Sequence, residues 1–178
     1  MYAVPLAEAE GVTTGSKAAG LAFLLRAGLP SPPGFVLVAD AFRKFAEEHG
    51  LAAAIAEAAA APLGQLPLLS AQLQQRIVAA PLPDFLARHL REAYEELSYG
   101  REVQGVSGVA RDLIRSGRDL AFVMVRPSFC AQTENSFAGI GLTLGNVRGF
   151  RNLEEAVKRC WASAFAPASL RYHQARNL

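Results

Sequence analysis

Apolar residues recur at helical spacing through most of the first two thirds of the chain, then shift to short continuous runs near residue 120. The first strong helical stretch is 17–27, with Leu21, Leu24 and Leu25 on one face. Ser16 stands in the N-cap position, and Gly28 followed by Pro30 ends the stretch. Residues 29–34 carry three prolines and a glycine, which form a stiff turn into a short strand at 35–38. Asp40 then opens a second helix that buries Phe42, Phe45, Ala46 and His49 and stops at Gly50. The alanine-rich run after Leu51 predicts a weaker helix, and residues 70–79 another.

From Pro83 the helical period is clean again, through Leu86, Leu90, Ala93, Tyr94 and Leu97. Residues 99–105 read as a loop, after which Ser107 caps a short helix with Ala110, Leu113 and Ile114 in its core. The run from Leu120 to Val125 is continuously apolar and of strand length, the pattern of a strand covered on both faces. It ends at Arg126-Pro127, and a loop of small and polar residues, 128–139, leads to a second strand near 142–144. Asn152 and Glu155 form a capping-box-like pair for a last helix lined by Leu153, Ala156, Val157, Cys160, Trp161, Ala164 and Phe165. Many helices with a small late sheet make an α+β fold, without the regular alternation of a doubly wound sheet.

Composition narrows the function classes. Of the 178 residues, 51% are hydrophobic and 19% charged, and the net charge of +2 argues against a dedicated nucleic-acid binder. Two cysteines, Cys130 and Cys160, without histidine or cysteine at ligand spacing, exclude a disulfide scaffold and an ordinary structural zinc site. The longest clean apolar runs, at 21–25 and 120–125, fall far short of the ~20 residues of a bilayer helix, so no membrane association is expected. Glu8 and Glu10 in a start without a basic cluster are not the pattern of a signal peptide, which makes the cytoplasm the expected location.

Two places break local rules. In Thr13-Thr14-Gly15-Ser16-Lys17 a lysine faces the positive end of a helix, which a bound anion would make favourable. Free N–H groups, two hydroxyls, a glycine and an ammonium can cradle phosphate; a solvated lysine beside an ordinary cap is the competing reading. Arg126 leaves the buried strand just before a proline and is followed by Ser128, Gln132, Thr133, Asn135 and Ser136. Its guanidinium can grip phosphate oxygens bidentately, or pair with a surface carboxylate such as Glu134.

The same stretches carry a resemblance. Gly15-Ser16-Lys17-Ala18-Ala19-Gly20-Leu21, Leu24-Leu25-Arg26-Ala27-Gly28-Leu29-Pro30 and Pro32-Pro33-Gly34-Phe35-Val36 resemble the opening of the phosphoenolpyruvate synthase and pyruvate phosphate dikinase family. Val123-Met124-Val125-Arg126, Ser136-Phe137-Ala138-Gly139, Asn146-Val147-Arg148-Gly149 and residues 156–163 continue it in the family's order. The stretch 51–118 carries little of it and reads as a mainly helical insert within one partial domain spanning 1–178.

The resemblance implies the N-terminal portion, or first lobe, of an ATP-grasp domain. It assigns Lys17 and Arg126 to the ATP phosphates, makes 128–139 a phosphate-covering loop, and puts Ser128, Ser136 and Gly139 near the nucleotide. Family members phosphorylate a histidine on a swivelling domain, and the phosphoryl group passes on to pyruvate. Departures from the family pattern cluster after Arg126, where Pro127 replaces a serine and Gln132 and Thr133 replace an acidic pair. Within these residues the resemblance reaches neither the second lobe, with its magnesium ligands, nor the phosphohistidine motif. Magnesium is therefore expected only together with that lobe, and catalysis by this stretch alone is not. Two readings follow: the ATP-binding part of a phosphotransferase that acts with a separate C-terminal lobe, or a stand-alone binding or regulatory module that kept the fold. Either leaves an apolar face open, so a partner lobe or self-association is expected.

Overall fold

Helices carry most of the described chain, and two antiparallel two-stranded ladders complete an α+β architecture. The computed structural model describes residues 1–100, 108–117, 119–130 and 141–176. In order these form β1 (Ala3–Pro5), a 3-10 turn (Leu6–Glu8), α1 (Gly11–Thr14), α2 (Ser16–Arg26), β2 (Phe35–Leu37) and α3 (Ala39–Glu48). Next come α4 (Ala52–Ala60), α5 (Leu66–Ala79), α6 (Asp84–Tyr99), α7 (Gly108–Gly117), β3 (Val123–Val125), β4 (Leu144–Val147), α8 (Phe150–Ser163) and α9 (Pro167–Ala175).

The largest apolar cluster joins α3, α4 and α5 to α8 and α9 around the fully buried Phe45, Leu66 and Ile77. Phe45 packs its ring against Trp161 and His49, with centroids 5.2 and 4.8 Å away. Inside this layer the buried Ser70 hydroxyl donates to the Phe165 carbonyl at 2.6 Å, just where the chain turns from α8 into α9. A second cluster builds β3 and β4 onto α6 and α8 through Leu90, Tyr94, Val147, Leu153 and Val157. A third, made of Leu6, Ala9, Ala18 and Ala22, seats α2 on the 3-10 turn.

In the ladders, β1 pairs with β2 so that Ala3 faces Leu37 and Val4 faces Val36. The β3–β4 ladder sets Val123 opposite Val147 and Val125 opposite Leu144, with a register shift between them. That irregularity coincides with Asn146 at φ 54°, a left-handed conformation that asparagine tolerates better than most residues.

Several sequence expectations need correction. Strand 120–125 is not covered on both faces: Val123 and Val125 join the second cluster while Phe122 and Met124 are 65% and 61% exposed. The alternation is that of a half-covered ladder, and the apolar composition of the outer positions hid it. The second strand lies at Leu144–Val147 rather than 142–144. In helix α2 the buried positions are Ala18 and Ala22; Leu21 and Leu25 pack half-buried against the same cluster as expected, whereas Leu24 is exposed. Leu113 is 73% exposed instead of core, and Ser107 lies outside the described residues. The final helix ends at Ser163 and a separate helix begins at Pro167. No capping box forms in α8, which starts earlier, at Phe150; Asn152 donates to the Arg148 carbonyl at 2.7 Å. Strand β1 carries too short an apolar pattern to be read from sequence.

One side chain ties the second cluster to its backbone. The Tyr94 hydroxyl donates to the Ala121 carbonyl at 2.7 Å and accepts the Gly149 N–H at 3.0 Å. Tyr94→Phe leaves both groups without that partner in a site where the ring is 1% exposed. Urea denaturation should show a loss of about 1–3 kcal/mol with an unchanged m-value.

Candidate functional site

The two rule-breaking stretches of sequence are brought into direct contact. Helix α2 opens at Gly15, whose φ of 83° turns the chain sharply out of α1. Ser16 is thus the first helical residue and not the cap, and its hydroxyl makes no capping bond. Opening a helix leaves backbone N–H groups without intrahelical partners. Two of these are taken by the segment that leaves β3: the Ser16 N–H donates to the Phe129 carbonyl at 3.2 Å, and the Ala18 N–H donates to the Ser128 hydroxyl oxygen at 3.1 Å.

Lys17 sits between those two amides and is half-buried; Arg126 is exposed and precedes Ser128 by two residues. The Lys17 ammonium lies near enough to the Cys160 thiol on α8 to lower its pKa, although burial dominates and pushes that thiol up to about 11. Sequence reading treated Cys160 as helix lining only, and no local signal links it to Lys17. Cys130, at the end of the docked segment, is also raised by desolvation, while a hydrogen bond from the Gly15 backbone pulls it back. Phe129 presents its ring to His173 of α9 at 6.5 Å, and burial lowers the His173 pKa. The contact thus joins the start of α2, the end of β3 and the inner sides of α8 and α9.

The remaining expected contributors fall differently. Thr14 is 2% exposed, and its hydroxyl donates to the Glu10 carbonyl at 2.7 Å. Thr13 reaches the same carbonyl at 3.5 Å. Both hydroxyls therefore serve α1 and not the cradle the sequence suggested. Ser136 and Gly139, together with Gln132, Thr133, Glu134 and Asn135, lie outside the described residues. Arg148, the residue directly after β4, pairs with Asp119 and covers the Phe122 ring at 5.0 Å. Among the described residues no group of three His, Cys, Asp or Glu side chains is placed to hold a metal ion. No helix among the described residues is long and apolar enough to cross a membrane.

The segments that carry Lys17 and Arg126, one at a helix start and one just past a strand end, touch through the Ser16–Phe129 and Ala18–Ser128 hydrogen bonds. Residues 12–178 match the family described as the pyruvate phosphate dikinase, AMP/ATP-binding domain. The chain belongs to this family. Among curated relatives, the probable phosphoenolpyruvate synthase of Methanothermobacter thermautotrophicus is 31% identical over 169 residues, covering 92% of this chain and 22% of the relative. The phosphoenolpyruvate synthase of Aeropyrum pernix is 33% identical, covering 92% and 19%. That of Pseudomonas aeruginosa is 31% identical over 155 residues, covering 84% and 17%. The chain thus spans about a fifth of the length of the family relatives it matches.

The position of Lys17 has a spectroscopic consequence. Lys17→Met removes the charge that lowers the Cys160 pKa, so that pKa should rise above about 11. Thiolate absorbance followed through an alkaline titration of a Cys130→Ser background will read the shift, and an unchanged midpoint would place the ammonium elsewhere.

Proposed function

We propose that this family member binds ATP through the corner between α2 and the end of β3, with Lys17 and Arg126 holding phosphate oxygens. The observation that carries the reading is the pair of hydrogen bonds from Ser16 and Ala18 to Phe129 and Ser128. Adding the reach of two extended residues to those contacts leaves the Lys17 and Arg126 Cα atoms no more than roughly 15 Å apart. Both side chains are long enough to meet one triphosphate across that span. Lys17 acts as a point charge and Arg126 as a bidentate fork. The Ser128 oxygen accepts from Ala18, which leaves its proton available to a phosphate oxygen. Ser136 and Gly139 complete the phosphate contacts in this reading.

The fold is read as the first lobe of an ATP-grasp domain, with 51–118 as an insert-like helical region. The larger activity is ATP-dependent phosphorylation of a histidine carrier and then of pyruvate, carried out in the cytoplasm together with further protein. Support comes from the names and lengths of the relatives. Magnesium would neutralise charge on the phosphates when bound. The resemblance assigns its ligands to a second lobe. What this chain supplies is binding and orientation of the phosphates, not a proton or a nucleophile. The exposed outer face of β3, Phe122 and Met124, supports a partner lobe or a second copy there. Light scattering should then show concentration-dependent association of the isolated chain, and a monomer at every concentration counts against it.

Calorimetric titration with magnesium-ATP tests the phosphate reading. Lys17→Ala and Arg126→Ala should each weaken binding by about tenfold to a hundredfold, the usual size of a lost charge-assisted contact. Equal affinity in wild type and both variants removes the reading.

A further inference from the structure

The described glycines separate into two groups by what a side chain would meet. Six have positive φ: Gly15 at 83°, Gly28 at 72°, Gly50 at 58°, Gly100 at 88°, Gly141 at 86° and Gly149 at 86°. At Gly28, Gly50, Gly100 and Gly149 an added Cβ would have nothing within 4 Å. At Gly15 it would lie 2.5 Å from the Ser128 hydroxyl oxygen and 2.6 Å from both the carbonyl carbon and oxygen of Ser128. At Gly141 it would lie 2.7 Å from Cγ and 3.1 Å from Cβ of Pro127. The two crowded glycines are far apart in the chain, yet they meet consecutive residues.

We propose that Gly15 and Gly141 are positioning residues, gripping Ser128 and Pro127 from two sides so that the end of β3 is fixed against the start of α2. This rests on the reading of Lys17 and Arg126 as phosphate ligands. The obstacles are backbone atoms at Ser128 and a proline ring at Pro127, neither of which can swing aside like the tip of a long side chain. An alanine at position 15 therefore has to lift the segment, and the bonds from Ser16 to Phe129 and from Ala18 to Ser128 break with it. Pro127 gains a use in this arrangement: it is buried, and its ring fills the space opposite Gly141. Arg126 is the residue directly before the grip. Released, it would ride on a loose chain end and have to be ordered at the moment of binding, which costs affinity.

Strain alone makes a different prediction, and Gly28 supplies the control. It closes the same helix α2, has a similar positive φ, and its Cβ would enter open space. The experiment compares wild type, Gly15→Ala, Gly141→Ala and Gly28→Ala by amide hydrogen exchange and by magnesium-ATP calorimetry. In Gly15→Ala and Gly141→Ala the Ser16 and Ala18 amides should exchange at least about tenfold faster, and ATP affinity should fall by about ten- to hundredfold, the scale of a misplaced binding group. Gly28→Ala should leave both unchanged. In the Gly15→Ala background, Arg126→Ala should cost little more, because the arginine has already lost its place.

Unaltered protection of Ser16 and Ala18 in Gly15→Ala and Gly141→Ala overturns the grip. Lost protection with ATP affinity equal to that of Gly28→Ala overturns its role in binding. If wild type takes up no ATP, it is the phosphate reading that fails, and the exchange data still decide whether the glycines hold the segment. Should Gly15→Ala not fold, Gly141→Ala carries the same comparison from the opposite side, without touching α2.

Discussion

Two backbone amides at the start of α2 have to be satisfied, and the chain satisfies them with residues more than a hundred positions away. A helix start cannot leave its N–H groups buried and unpaired without a cost of about 1–3 kcal/mol each. Here Gly15 turns the chain, Ser128 and Phe129 accept, and the first and last thirds of the sequence are joined at one corner. The position of Lys17 relative to Arg126, and hence any shared hold on an anion, follows from this contact. So do the environments of the two thiols, one desolvated beside Gly15 and the other buried near Lys17.

The helical layer serves the corner by fixing what lies behind it. Helices α5 and α8 pack face to face, and the Ser70 bond to Phe165 sets where α8 gives way to α9. His173 on α9 then meets Phe129, while Cys160 on α8 lies near Lys17. The proposed hold of Lys17 and Arg126 on a nucleotide's phosphates would rest on this backing. The same lysine and arginine stand out in the sequence from local electrostatics and from the resemblance, while the family match speaks to the domain as a whole.

Much of this was legible in the sequence, and the failures have physical reasons. Phe45, Leu86, Leu90 and Tyr94 announce their helices by period, and Gly50 its helix end. Arg126-Pro127 marks the end of β3 because proline cannot continue the ladder. The outer residues of β3 misled, since Phe122 and Met124 are apolar yet face away from the core, and periodicity cannot say which face is covered. In α2 the buried positions, Ala18 and Ala22, are small, and the leucine pattern alone does not mark them. The contact between Gly15 and Ser128 was beyond reading altogether. A glycine before a helix has many uses, and only the packed chain shows which one applies.

Tyr94 has a consequence for motion. Its single hydroxyl holds the approach to β3 and the cap of α8 at once, so a shift of either over α6 breaks its bond to Tyr94. One side chain thus couples three elements that the chain reaches at separate points, whereas α2 and the 3-10 turn share a small cluster of their own, built mainly on alanines.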